Sequence, residues 1–334
     1  MTLLLAAPAA GTPPPRDVVI GEASATSARI SAGAAAARYP IEDGSGATIA
    51  VAVTPACEAS CTAADPREIA RFVGTLIHGP EVELLTVQLD TPGQLELECG
   101  YGAQACYFPA ENRIVLSGED APAPDGASRE YVLAHEYGHH VANHRESVAP
   151  FPAAIDWGTP RWSSHEHICQ AHRRGAIFPG DEGARYDRNP GEAFAEAFAR
   201  YRFPDADVKW AWASSLRPDA AALEAIREDT LMPWEGRTRI RLAGAARPAG
   251  RLGLVRSFRT PLDGRISLEP AARVASPFEV SLWSDEGRVL RSSEPAARRE
   301  RQLNFTVCGQ SRLRVVFEPR SGARRPVPLL VERP

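Results

Sequence analysis

The sequence predicts an α+β fold over residues 46–235, followed by an all-β sandwich over residues 236–334. Three observations carry that reading. Strand-like alternation and helix-like periodicity interleave in the first stretch without settling into a repeated βαβ pattern. Helix-start signals, an Asp or Asn followed by Pro and then an acid, recur at Asp65-Pro66-Arg67-Glu68 and Asn189-Pro190-Gly191-Glu192. After Trp234-Glu235-Gly236 the helical periodicity stops, and short alternating runs separated by turn residues take over. A chain of 334 residues is long enough for about two domains.

Residues 1–45, rich in Ala, Gly, Ser and Pro, are expected to form a processed or flexible lead-in. Residues 47–54 alternate as a strand. The helix opened by Asp65 carries an apolar stripe of Ile69, Phe72, Val73, Leu76 and Ile77, and Gly79 is its expected stop. Residues 81–89 read as a second strand, and 104–108 with 113–117 as a hairpin turning through Pro109-Ala110-Glu111-Asn112. A helix is expected from near Ser128 to about His144. Residues 147–189 are crowded with Pro, Gly, His and Asp; a loop of that length is usually functional or hides short elements. A helix starting at Asn189 presents Phe194, Phe198 and Tyr201 on one face, and another covers 219–229. Beyond residue 236, strands are expected at 238–242, 257–260, 265–268, 278–283, 303–307, 313–317 and 327–331.

Composition excludes several classes. A formal charge of −4 argues against a nucleic-acid binder, which would carry a basic face. No apolar run approaches the ~20 residues that span a bilayer, so no membrane span is expected. Residues 1–11, MTLLLAAPAAG, read as the end of a secretory signal peptide whose true start lies upstream; the competing reading is an unstructured Ala/Pro tail. Export fits six cysteines, an even number compatible with disulfides. Local spacing favours Cys57–Cys61 and Cys99–Cys106, which leaves Cys169–Cys308 to tie the two predicted domains. A secreted monomer is the expectation.

The chemistry concentrates in His135-Glu136-Tyr137-Gly138-His139. Residues four apart share a helix face, so His135 and His139 can direct two imidazoles at one metal ion. Glu136, one position on, can reach a water held at that metal. Two imidazoles need a third protein ligand. The metzincin continuation would place Gly at 142 and His at 145; Ala142 and Arg145 exclude it. Glu192 is the better candidate: it completes a His2Glu set, and Glu196, one turn on, can take the spare N–H of His135. Glu192 also reads as a capping-box acid, and Asp187 is a rival third ligand. His140 and His144, which flank the motif, are assigned structural roles.

HEYGHH followed by NPGEAFAEAF resembles the gluzincin class of zinc metallopeptidases. The resemblance implies a zincin-like domain over 46–235 holding one Zn2+ on His135, His139 and Glu192, with Glu136 as general base and a protein or peptide substrate. It also implies a substrate-binding edge strand, a place filled here by 113–117. The segment between the helices is longer than in thermolysin, and Glu replaces Asp at 196, so the residue that polarises the carbonyl is left open among Tyr186, His167, His172 and His165. Residues 236–334 look like a pre-peptidase C-terminal β-sandwich, with Phe305-Thr306-Val307-Cys308-Gly309 as the suggestive phrase. The alternative function is a non-catalytic secreted binding protein with a structural metal site.

Overall fold

The computed structural model describes residues 17–19, 36–119, 126–242, 245–246, 252–271, 278–293, 302–309, 312–319 and 328–334. The fold is mixed α and β, as expected. The expected signal-peptide residues 1–11 lie outside the described residues. Two compact units are present: one holds the chain up to Leu76 with Pro80–His140 and Arg202–Lys209, the other Ile77–Gly79, Val141–Tyr201 and the chain from Trp210 on.

The first unit is built on a six-stranded mixed sheet. Its strands are β1 (Asp17–Val19), β2 (Ala37–Pro40), β3 (Thr48–Val53), β4 (Thr86–Asp90), β5 (Ala105–Phe108) and β6 (Arg113–Ser117), in the order β1-β5-β6-β4-β3-β2. The expected hairpin is present as antiparallel β5 and β6, while β4 runs parallel to both β3 and β6. Two strands of the lead-in join the sheet: β2 pairs antiparallel with β3, and β1 pairs parallel with β5. Residues 113–117 are therefore interior, flanked on both sides, and are not the open edge the family resemblance implied.

Helices α1 (Pro55–Ser60), α2 (Pro66–Val73) and α3 (Pro92–Cys99) each start with Pro behind a capping side chain, from Thr54, Asp65 and Thr91 respectively. Proline suits that first position because its missing N–H has no intrahelical partner to lose. Two boundaries differ from expectation. α2 stops at Gly74, where an added β-carbon would lie 3.0 Å from the Glu42 backbone nitrogen, a tight approach that glycine eases. Residues 80–84 form a 3₁₀ turn behind Pro80, so the expected strand begins only at Thr86. α4 (Arg129–Asn143) is the motif helix; Ser128 caps it by accepting from the Tyr131 N–H at 3.2 Å.

The second unit resolves the long loop into short helices: α5 (Ala154–Trp157), α6 (Pro160–His165) and α7 (Ile168–Arg173). α8 (Pro190–Arg202) and α9 (Ala220–Leu231) follow where expected. Arg145 is buried and donates to the carbonyls of Asp229 and Thr230 at 2.8 and 2.9 Å, closing the last turn of α9 with a cation.

The strands of this unit are β7 (Thr238–Leu242), β8 (Ala245–Ala246), β9 (Leu252–Arg259), β10 (Gly264–Pro270), β11 (Phe278–Trp283), β12 (Val289–Ser293), β13 (Leu303–Val307), β14 (Arg312–Pro319) and β15 (Leu329–Arg333). They form two antiparallel sheets, β13-β10-β15-β7 and β12-β11-β14-β9-β8. Alternate residues of both sheets enter one apolar core, including Ile266, Phe305 and Val331 from the first and Val280, Val315 and Phe317 from the second. β12 was not anticipated because its two apolar residues, Val289 and Leu290, are adjacent rather than alternate and both are exposed.

All three expected disulfides are present: Cys57–Cys61, Cys99–Cys106 and Cys169–Cys308. The last joins α7 to the residue after β13, and both its cysteines belong to the second compact unit.

Candidate metal centre

α4 places His135 and His139 one turn apart, with their Nε2 atoms 3.2 Å from each other. The Glu192 carboxylate joins them: one ligand atom from each of the three residues lies within 4.8 Å of the others, and all three side chains are buried. Two nitrogens bound to one tetrahedral zinc at 2.0–2.1 Å stand roughly 3.4 Å apart, so the imidazole pair is already at ligand spacing. Two imidazoles and a carboxylate also match the hardness zinc prefers. By spacing and by chemistry this His-His-Glu set fits a metal ion.

The start of α8 explains how Glu192 gets there. Asn189 supplies the helix cap, its Oδ1 accepting from the Gly191 N–H at 3.1 Å and from the Gly180 N–H at 3.2 Å. The cap is thus made by Asn189, and the Glu192 Oε2 accepts instead from the Tyr186 hydroxyl at 2.8 Å. Asp187 is exposed and is not one of the three clustered residues; its carbonyl accepts from the Ala213 N–H at 2.7 Å.

Glu136 is fully buried, next in sequence to His135. Glu196 is also buried, one turn beyond Glu192, and forms an ion pair with Arg200 at 3.3 Å. His140 does what a structural histidine does: its Nε2 lies 2.9 Å from the Glu81 carbonyl, and its Nδ1 3.0 Å from the Tyr107 hydroxyl. A carbonyl only accepts, so Nε2 carries a proton, while Nδ1 meets a Tyr107 hydroxyl that also lies 3.3 Å from the Asn112 Oδ1.

Of the loop residues considered as carbonyl polarisers, Tyr186 is the one in hydrogen-bond contact with the cluster. His172 packs edge-on against Trp157, with ring centroids 5.4 Å apart. His165 bonds Asp219 at 3.0 Å, and His167 occupies the N-cap position of α7 in a left-handed backbone conformation without a side-chain capping bond. Around these lies a small acidic group: burial, and then the charge of Asp219, pushes the Glu166 carboxyl up to about 7. Asp219 itself is held below the usual carboxylate range by the Ala222 N–H and by His165. Sequence spacing offered no signal for the Tyr186–Glu192 contact, which depends on how the loop folds back.

No family model matches the chain, and no curated protein matches it. Among solved structures, a family GH115 4-O-methyl-α-glucuronidase with specificity for decorated arabinogalactans aligns at 13% identity, covering 61% of this chain and 37% of that one, with a TM-score of 0.16. The chain spans little more than a third of that enzyme's length, and a TM-score of 0.16 carries no argument about fold or activity.

Proposed function

We propose that this chain is a secreted zinc metallopeptidase, with a zincin-like domain over 46–235 and a β-sandwich over 236–334. The observation that carries the reading is the convergence of His135, His139 and Glu192, with Glu136 buried beside the first. A purely structural metal site has no need of that extra acid. The ligands would hold one zinc ion; when bound, it supplies a Lewis acid and draws the pKa of water in its reach toward ~7. Glu136 takes a proton from the attacking water as its oxygen bonds to the scissile carbonyl carbon. Glu136 then returns a proton to the amine as the C–N bond breaks. Burial keeps bulk water from competing for those protons and strengthens every charge interaction within the site. Three disulfides support an oxidising, extracellular setting, and among the described residues no helix is long and apolar enough to cross a membrane.

The test pairs metal analysis with cleavage of a fluorogenic peptide library, with and without a chelator. Wild-type protein should retain one zinc and show chelator-sensitive cleavage. Glu136→Gln should retain the zinc and lose activity about 10²–10⁴-fold, the usual worth of a general base. His139→Ala should lose both. Zinc-loaded wild type that cleaves nothing would favour the non-catalytic binding protein.

A further inference from the structure

Glu192 and Glu196 stand one turn apart on α8, and a circuit of side chains leaves the helix at the first and returns at the second. Tyr186 donates to the Glu192 Oε2 at 2.8 Å. The Tyr186 ring lies against Trp212 at 6.4 Å, and Trp212 meets Trp210 edge-on at 5.4 Å. The Arg200 guanidinium lies 5.5 Å from the Trp210 ring centroid and pairs with Glu196 at 3.3 Å. The loop holding Tyr186 is pinned independently, by the Ala213 N–H on the Asp187 carbonyl at 2.7 Å and the Phe178 N–H on the Arg188 carbonyl at 2.9 Å. Trp212 is almost wholly buried, so the ring against Tyr186 has little room to move.

We infer that Tyr186 is a positioning residue: its hydroxyl fixes the Glu192 carboxylate in the orientation that ligates a metal ion, and the Trp212–Trp210–Arg200–Glu196 circuit holds Tyr186 in place. The physical reason lies in how carboxylates bind metals. An unrestrained glutamate turns freely about its last torsion and offers either oxygen or both. A donor on Oε2 restricts that freedom and leaves Oε1 to ligate. Partners that hydrogen-bond a ligand in this way typically carry 10–100-fold of metal affinity. This role differs from polarising the substrate carbonyl, which needs the hydroxyl directed at substrate. The inference rests on the proposed metal site but not on peptide hydrolysis.

Tyr186→Phe removes the hydroxyl and keeps the ring that Trp212 packs against, so the metal-free variant should still fold cooperatively, with at most a modest loss of stability from the undonated Glu192 oxygen. Zinc affinity, measured by competition with a chromophoric chelator, should fall 10–100-fold. The visible spectrum of the cobalt-loaded variant should change as its carboxylate ligand loosens. In a double-mutant cycle with Glu192→Gln, Tyr186→Phe should have almost no further effect on affinity, because the group it orients is already altered. Unchanged zinc affinity in Tyr186→Phe overturns the inference. So does additivity with Glu192→Gln, and so does a variant that binds zinc normally but loses kcat, which would place the hydroxyl on substrate. A wild type that binds zinc yet cleaves no peptide sinks the peptidase reading alone. One that binds no zinc sinks both.

Discussion

A β-carbon added to Gly191 would lie 2.2 Å from the backbone oxygen of Ile155 and 3.3 Å from the Cα of Asp156. Backbone cannot swing away as a flexible side chain can, so α5 or the first turn of α8 must shift. Gly191→Ala should therefore cost about 1–3 kcal/mol, as overpacked sites do. Because Glu192 is the next residue, the shift should also weaken zinc binding. Thermal unfolding of metal-free protein and a chelator competition check the two effects separately; a variant as stable as wild type would mean the close approach is readily relieved. The same residues show what a sequence reveals at this scale. His135 and His139 were legible because helical geometry alone puts positions four apart on one face. Glu192 was legible because Asn189 and Pro190 fix where the helix starts and hence which residues follow. The donor to Glu192 was not, since Tyr186 reaches it through a loop whose path no periodicity records.

The longer helices left a clear trace in the sequence and most of the short ones did not; α3, at eight residues, was also missed. α4, α8 and α9 each repeat their apolar pattern long enough to be recognised, whereas α5, α6 and α7 contain four to six residues and never complete a second turn. Proline at the first position is a local signal that survives shortness, and it marks α6 as well as α1, α2, α3 and α8. Strand alternation located β3, β4, β5 and β6 but not β1 or β2, and beyond the β5–β6 hairpin it gave no lateral order, which depends on pairing between distant segments. The join between β5 and α4 makes a test at this scale. His140 connects the Tyr107 hydroxyl on β5 to the Glu81 carbonyl, and Tyr137 adds a bond to the Glu81 carboxylate at 3.2 Å. His140→Leu keeps the bulk but strips both ring nitrogens from a buried position. A loss of about 1–3 kcal/mol is expected, the cost of leaving buried polar groups short of a partner. Zinc stoichiometry should stay at one, since both His140 ring nitrogens are engaged by Tyr107 and Glu81 and His140 is not in the His135–His139–Glu192 cluster. Loss of the metal in this variant would contradict the structural role given to His140.

For the second compact unit, the longest constraint is the Cys169–Cys308 bridge, which closes 139 residues of chain. Loop-closure entropy on that scale is worth about 5 kcal/mol, an upper figure because strain and residual structure in the unfolded chain reduce it. Cys308→Ser, paired with Cys169→Ser, should lower the unfolding midpoint of this unit markedly. Beside the bridge sits a buried acid. Asp263 accepts from the Gly309 N–H, while its own N–H donates to the Ser164 hydroxyl at 2.9 Å. Burial pushes the Asp263 carboxyl up to about 7, against the opposing pull of the Gly309 N–H and Arg173. In the unfolded chain the same group titrates near ~3.9. Between those values the folded protein keeps a proton that the unfolded chain has released, so raising the pH favours unfolding. The stabilisation is complete below about pH 4, declines through the window and is gone above about 7. Glu166, raised to about 7 by burial and by Asp219, acts with the same sign. Metal-free protein should therefore unfold at a higher temperature at pH 5 than at pH 8, with no contribution from metal release by the histidines. Asp263→Asn removes the titration and should shrink that difference. Parallel profiles for wild type and variant across pH 4–8 would mean that Asp263 titrates alike in the folded and unfolded chains.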